Sequence, residues 1–208
     1  MIAAVIFDAF GTLLKIQGGR HPYRSLLKIG IEQGRRPRQD DALVLMSEPL
    51  ETLAAAAKRL GITANPDQLA ELEQVLADEV AGIEPYQDGL EAVARLQARG
   101  VRVAVCSNLA SPYRAAVRAH YPTLDAYLFS CDFGQLKPSP DIYKAACTAL
   151  GASPRDTHMI GDCARFDCLG PAEIGITGYF LDRSNPAPRD CRELSSFARD
   201  LLLLRDRP

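Results

Sequence analysis

Little net charge is left in this sequence: 24 lysines and arginines oppose 26 aspartates and glutamates over 208 residues, a formal charge of −2. With an isoelectric point near 5.9, the chain lacks the basic surface that nucleic acid or an anionic membrane would require. It also lacks any stretch of eighteen apolar residues, so no segment reads as a membrane span. Met1 leads straight into a short apolar run, without the charged segment and small-residue cleavage site of an exported leader. The six cysteines, at 106, 131, 147, 163, 168 and 191, include neither a CxxC pair nor a Cys/His spacing able to hold zinc. They read as reduced thiols. Internal repeats and low-complexity tracts are absent. The expectation is a soluble cytoplasmic protein, monomeric or homodimeric, whose partner is a small molecule. The one basic cluster, "GRRPRQ" at 34–39, is followed at once by Asp40 and Asp41; it reads first as a solvated loop, with steering of an anionic substrate as the alternative.

What the chain does contain is enough apolar residue, 47%, to bury a core. Short apolar runs recur at wide intervals: "AAVIF" (3–7), "VRVAVC" (101–106), "AYLFS" (126–130), "HMIG" (158–161) and "ITGYFL" (176–181). They are nearly continuous rather than alternating, as strands buried on both faces are. Amphipathic stretches lie between them, such as "DGLEAVARLQARG" (88–100) and "DIYKAACTALG" (141–151), each closed by a glycine. Strand alternating with helix predicts an α/β fold with a parallel sheet and helices on both faces. Residues 16–84 break the alternation: "RSLLKIGIEQG", "EPLETLAAAAKRLG" and "PDQLAELEQVLADEVAG" have helical period, and no strand is evident. The organisation expected is a core of residues 1–15 and 85–208 with a helical insertion over 16–84. "RSNPAPRDCREL" reads as a loop before a last short helix at about 194–204.

In an open parallel sheet, ligands gather at the carboxyl ends of the strands. Those ends carry Asp8, Ser107 with Asn108, and Asp162, and Lys137 in "GQLKPSPDIY" can reach the same edge. Alone, each has a bland reading as a turn, cap or surface residue. Together and in order they resemble four motifs of the haloacid dehalogenase-like hydrolases: "VIFDAFGTL", "VCSN", "LKPSPDIY" and "MIGDCARFD". The resemblance implies a Rossmann-like core with a helical C1 cap inserted after the first strand. It also implies Asp8 as a nucleophile that forms a covalent intermediate later hydrolysed by water. Gly11 would permit the sharp turn after it, and Thr12 would fix the loop through its hydroxyl. Ser107 and the backbone N–H of Asn108 would bind the transferring group, with Lys137 supplying positive charge. Asp162 and Asp167 would complete a Mg2+ site with Asp8 and the carbonyl of Phe10.

Phe10 stands where phosphatases of this family usually carry a second aspartate, the acid that protonates the leaving alkoxide. Losing a general acid typically costs about a hundredfold to ten-thousandfold. Halide, aryloxide and acyl phosphate leaving groups, which need no proton, would suffer least. An aromatic at this position, with Tyr143 six residues after Lys137, is similar to the metal-independent 2-haloacid dehalogenases. Those carry Ser and Asn where this chain has Asp162 and Ala164, so the acidic motif points back to a metal. A halide-receiving arginine cannot be singled out among Arg20, Arg24, Arg35, Arg36 and Arg38. The favoured reading is a magnesium-dependent hydrolase of a small phosphorylated metabolite with weakened acid catalysis; the alternatives are a dehalogenase and a non-catalytic binding protein. His21 in the insertion is a lesser candidate near the substrate. His158 reads as a local hydrogen-bond partner, Cys163 and Cys168 as small buried hydrophobes, and the leucines of the insertion as core.

Overall fold

The computed structural model describes residues 2–184 and 193–206. Five strands form one parallel sheet: β1 (Ala4–Phe7), β4 (Arg102–Ser107), β5 (Ala126–Phe129), β6 (Thr157–Gly161) and β7 (Thr177–Phe180). Their order is β5-β4-β1-β6-β7, with Phe7 opposite both Val105 and Ile160. Chain order therefore reverses at β1, and Asp8 follows β1 directly, at the switch point where a ligand crevice opens.

β1 is buried along its whole length because both faces of the sheet are covered. Val5, Phe7, Val103 and Val105 pack on one side with Val93 and Leu96 of α5 (Gln87–Ala98) and with Leu194, Phe197 and Leu201 of α10 (Leu194–Arg205). Ile6, Ala104 and Met159 face the other way, onto Ile142, Ala146 and Leu150 of α8 (Pro140–Leu150). Helices α6 (Arg114–His120), α7 (Ser130–Phe133) and α9 (Gly170–Ala172) are short connecting pieces.

Between β1 and α5 lie four helices: α1 (Pro22–Glu32), α2 (Asp41–Ser47), α3 (Leu53–Leu60) and α4 (Pro66–Ala81). Their limits follow local chemistry. Thr52 accepts the N–H of Ala55 at 3.0 Å to start α3, and Asn65 with Gln68 forms a reciprocal capping box at the start of α4. Leu26, Leu53, Leu60, Leu72 and Leu76 supply the buried face.

Two expectations change here. Residues 48–61 are not one helix: the chain runs extended at Glu48 and Thr52, and α2 before it was not anticipated. Nor is the insertion free of strand, since β2 (Leu14–Ile16) and β3 (Ile83–Pro85) pair antiparallel at its two roots. Three-residue strands with charged Lys15 and Glu84 facing solvent leave no periodic signal. Of the loop expected before α10, residues 185–192 lie outside the described residues.

Candidate functional site

The backbone after β1 turns back at once. The N–H groups of Leu13 and Leu14 donate to the carbonyl of Ala9 at 2.8 and 2.9 Å, and Gly11 donates to Leu14 at 2.8 Å. Gly11 has φ +82, and a Cβ there would lie 1.9 Å from Oδ2 of Asp162. Glycine is thus required twice, by the turn and by the approach of the second carboxylate. The Thr12 hydroxyl does not fix this loop: it is buried and has no hydrogen-bond partner among the described residues. A residue that sequence reasoning placed in a loop does so instead. Arg183 donates to the carbonyls of Gly11 and Thr12 at 3.3 and 2.7 Å, grips Asp88 at 3.0 and 3.1 Å, and lies 3.8 Å over the ring of Tyr86. Its planar fork suits that task; no motif announces it.

Lys137 is buried, and its Nζ donates to Oδ1 of Asp8 and Oδ1 of Asp167, each at 2.7 Å. Burial alone would lower its pKa, but the two carboxylates outweigh burial and hold the ammonium above the ordinary lysine value. The loop that carries it is clamped by Asn108, whose amide donates to the Lys137 carbonyl at 2.9 Å and accepts its N–H at 2.7 Å. The Asn108 side chain is therefore a positioning group.

After β6, a wide π-helical turn over Ala164–Leu169 folds Asp167 back beneath the sheet edge. Its Oδ2 accepts the N–H of Cys163 at 3.0 Å, and it lies so close to Gly161 that a Cβ there would be 2.2 Å away. Burial pushes the Asp167 carboxyl above the usual carboxylate range against the pull of Lys137, with the charge of Asp8 adding to the rise. Asp162 is raised for the same first reason, desolvation, and then by Asp8. Oxygens of Asp8, Asp162 and Asp167 all lie within 4.8 Å of one another. Two carboxylates thus flank one ammonium, with the exposed Asp162 close by.

These groups, with Ser107, line a cavity of about 330 Å³. The structure brings Asp8, Ser107, Asn108, Lys137, Asp162 and Asp167 to one edge, as the order of motifs predicts. Tyr143 is held elsewhere, donating to the Phe166 carbonyl at 2.6 Å and so bracing the acidic turn. Cys163 and Cys168 are half-buried rather than fully buried, and Cys163 lines the cavity, because the wide turn exposes one side of this segment. His158 hydrogen-bonds Tyr179 at 3.1 Å, a local role; His21 is exposed at the start of α1, where its backbone N–H donates to Glu79. Of the basic cluster, Arg35 turns inward onto Asp41 at 2.8 Å, while Arg36 and Arg38 are exposed. Arg20 pairs with Asp78.

A second cavity, about 490 Å³, adjoins the first. Phe10, Met46 and Asn108 line both. Its other walls include Tyr23, Leu27, Leu45, Leu109 and Tyr113, with Arg24 also in the lining. Phe10 meets Tyr113 edge to face, ring centres 5.7 Å apart at 80°. The Tyr113 hydroxyl donates to the buried Glu79 of α4 at 2.6 Å.

The comparisons with known proteins agree with this geometry. Residues 2–175 match the family model described as haloacid dehalogenase-like hydrolase. The phosphoglycolate phosphatase of Rhodospirillum rubrum is 31% identical over 177 residues, covering 78% of this chain and 72% of that protein. A phosphoserine phosphatase of Thermus thermophilus is 26% identical over 123 residues, 57% of this chain, which spans only about half (49%) of that relative. In fold the chain is similar to a HAD phosphatase from Thermococcus onnurineus, with TM-score 0.67, 19% identity and coverage of 96% and 97%. It is similar as well to an L-2-haloacid dehalogenase from Xanthobacter autotrophicus, with TM-score 0.64, 20% identity and full coverage of both chains. No helix among the described residues is long and apolar enough to cross a membrane. Match, sheet order and strand-end constellation together make this chain a member of the haloacid dehalogenase-like hydrolases.

Proposed function

We propose that the chain is a magnesium-dependent hydrolase of a small phosphorylated metabolite, with Asp8 as nucleophile and weakened general acid catalysis. The observation that carries this reading is three carboxylates within 4.8 Å of one another, of which the buried Asp8 and Asp167 share the ammonium of Lys137 while Asp162 stands exposed beside them. Such an excess of negative charge at a partly desolvated site is costly unless a cation balances it. The donors are hard oxygens, which suit Mg2+. Asp8 and Asp162 would hold the ion, with Asp167 beside them and the carbonyl of Phe10 completing the protein's share; bound there, it would offset the charge of an incoming phosphoryl group. Lys137 occupies Oδ1 of Asp8 and so directs Oδ2 towards the substrate. Attack by that oxygen on phosphorus breaks the bond to the leaving oxygen, which departs with its electron pair, and water then releases phosphate from the aspartyl intermediate. Ser107 and the backbone N–H of Asn108 would hold the phosphoryl oxygens, and the helical insertion, residues 16–84, would act as the cap over this site.

Phe10 keeps the dehalogenase reading in view, since an aromatic there offers no proton to a leaving group. A binding scaffold is disfavoured: burying Lys137 between two carboxylates costs stability without return unless chemistry is done there. The test measures phosphate-ester and 2-haloacid turnover with magnesium and with chelator, beside Asp8→Asn. The expected outcome is metal-dependent phosphate release, reduced at least ~10⁴-fold in Asp8→Asn. Halide release in chelator, or an active Asp8→Asn protein, would overturn the proposal.

A further inference from the structure

Resting on that reading, we infer that the substrate's leaving group is aromatic and weakly basic: an aryl phosphate that departs as an aryloxide into the apolar cavity. Two independent observations converge on this class. Phe10 stands two residues after the nucleophile, so the departing oxygen receives no proton from that position and must be stable as an anion. Phe10 is also the shared wall between the polar cavity around Asp8 and the larger cavity beyond. Whatever leaves past Phe10 enters a space bounded by Tyr23, Leu27, Leu45 and Tyr113.

That space, about 490 Å³, is within the size range of small-ligand sites. A polyol or amino-acid leaving group would forfeit hydrogen bonds to water there, whereas a ring would gain contact with the edges and faces of Phe10, Tyr23 and Tyr113. One polar feature refines the class. Arg24, exposed but in the lining of the same cavity, favours an acidic substituent.

The balance is complete without any further reactant. The Asp8 oxygen forms a bond to phosphorus, the aryl oxygen–phosphorus bond breaks, and the aryloxide takes both electrons and is protonated by solvent after release. Water then divides the aspartyl phosphate into carboxylate and inorganic phosphate.

The experiment compares kcat/KM for 1-naphthyl phosphate, 2-(1-naphthyl)ethyl phosphate and acetyl phosphate in magnesium. Acetyl phosphate has a weakly basic leaving group but nothing to fill the cavity; the naphthylethyl ester fills it but leaves as a basic alkoxide. The expected result is 1-naphthyl phosphate ahead of each by at least about tenfold. Leu27→Trp, which fills the cavity, should collapse the ratio of naphthyl to acetyl phosphate; Ala42→Trp, at an exposed position of the lining, repeats the test should the first variant melt early. Arg24→Ala should raise KM for a carboxynaphthyl phosphate more than for the unsubstituted ester. Hydrolysis of acetyl phosphate with no naphthyl advantage, or an advantage untouched by both tryptophans, would overturn the inference and leave the phosphohydrolase standing. No hydrolysis of any of the three would overturn both.

Discussion

Two adjoining cavities share Phe10, yet they are made in opposite ways. The polar one is assembled from strand ends: Asp8 after β1, Ser107 closing β4 with Asn108 next, Asp162 and Asp167 after β6. Its groups are held by charge-assisted hydrogen bonds, with Lys137 at 2.7 Å from two carboxylates. The apolar one is assembled from helix faces of α1 and α2, laid against the segment after β4. Its walls are mostly apolar, with the Tyr113 hydroxyl braced by the buried Glu79 carboxylate. On the proposed reading the difference separates chemistry from choice: the first cavity would set what bond is broken, and the second what is attached to it.

The hardest blow to the first region alone is Lys137→Met. Two carboxylates would then face each other without a counter-ion, and removing one partner of a buried pair costs about 3 kcal/mol or more. Denaturant unfolding should show that loss and phosphate release should fall steeply, while a protein as stable as the original would mean that the polar region is not held by charge. Next in size is Phe10→Asp, which blurs the boundary by placing an acid in the shared wall. Alkyl phosphate turnover should rise about tenfold to a hundredfold, below the full value of general acid catalysis, because no surrounding shell positions the new group. The gain with p-nitrophenyl phosphate should be smaller. A folded variant with no gain on either ester would show that the missing proton does not limit this site.

The smallest effect concerns the metal. At about ten times its dissociation constant, magnesium should raise stability by about 1.4 kcal/mol, and Asp162→Asn should erase that shift. The same pair of proteins gives a sign in pH. The Asp162 and Asp167 carboxyls lie above their unfolded values, so without metal their favourable contribution is present below the ordinary carboxylate pKa. It is lost as pH rises through the raised folded values. Melting of wild type relative to Asp162→Asn, followed in chelator from acid to neutral pH, should therefore decline. An increase would mean that the crowding of carboxylates is relieved by the protein itself.

The contrast between the cavities also explains what could be read beforehand. Strands buried on both faces announce themselves as apolar runs, and a polar residue at the end of each is conspicuous; Asp8, Ser107 and Asp162 were legible for that reason, and Lys137, in the loop before α8, through the order of the motifs. Leu27 and Leu45 were not, because a leucine that lines a cavity has the same helical spacing as one that fills a core. Arg183 was hidden differently. Its partners, Gly11, Thr12 and Asp88, are far away in sequence, and a single arginine in a polar segment carries no pattern. Thr12 misled in the other direction, since a hydroxyl in a tight turn usually finds a local partner and this one does not.

The ribbon at the roots of the insertion has a consequence of its own. Leu14, Lys15 and Ile16 lie opposite Pro85, Glu84 and Ile83, so the chain leaves the core and returns to it at neighbouring points, about 5 Å apart as antiparallel partners are. The central sheet takes no strand from the intervening residues. A two-residue turn of the Asn-Gly kind could join Ile16 to Ile83, and a foreign helical unit could be grafted at the same junction without changing the register of β1. The stem thus lets the intervening helices be exchanged as a block, while the cavity walls supplied by Phe10 and the segment after β4 stay with the sheet.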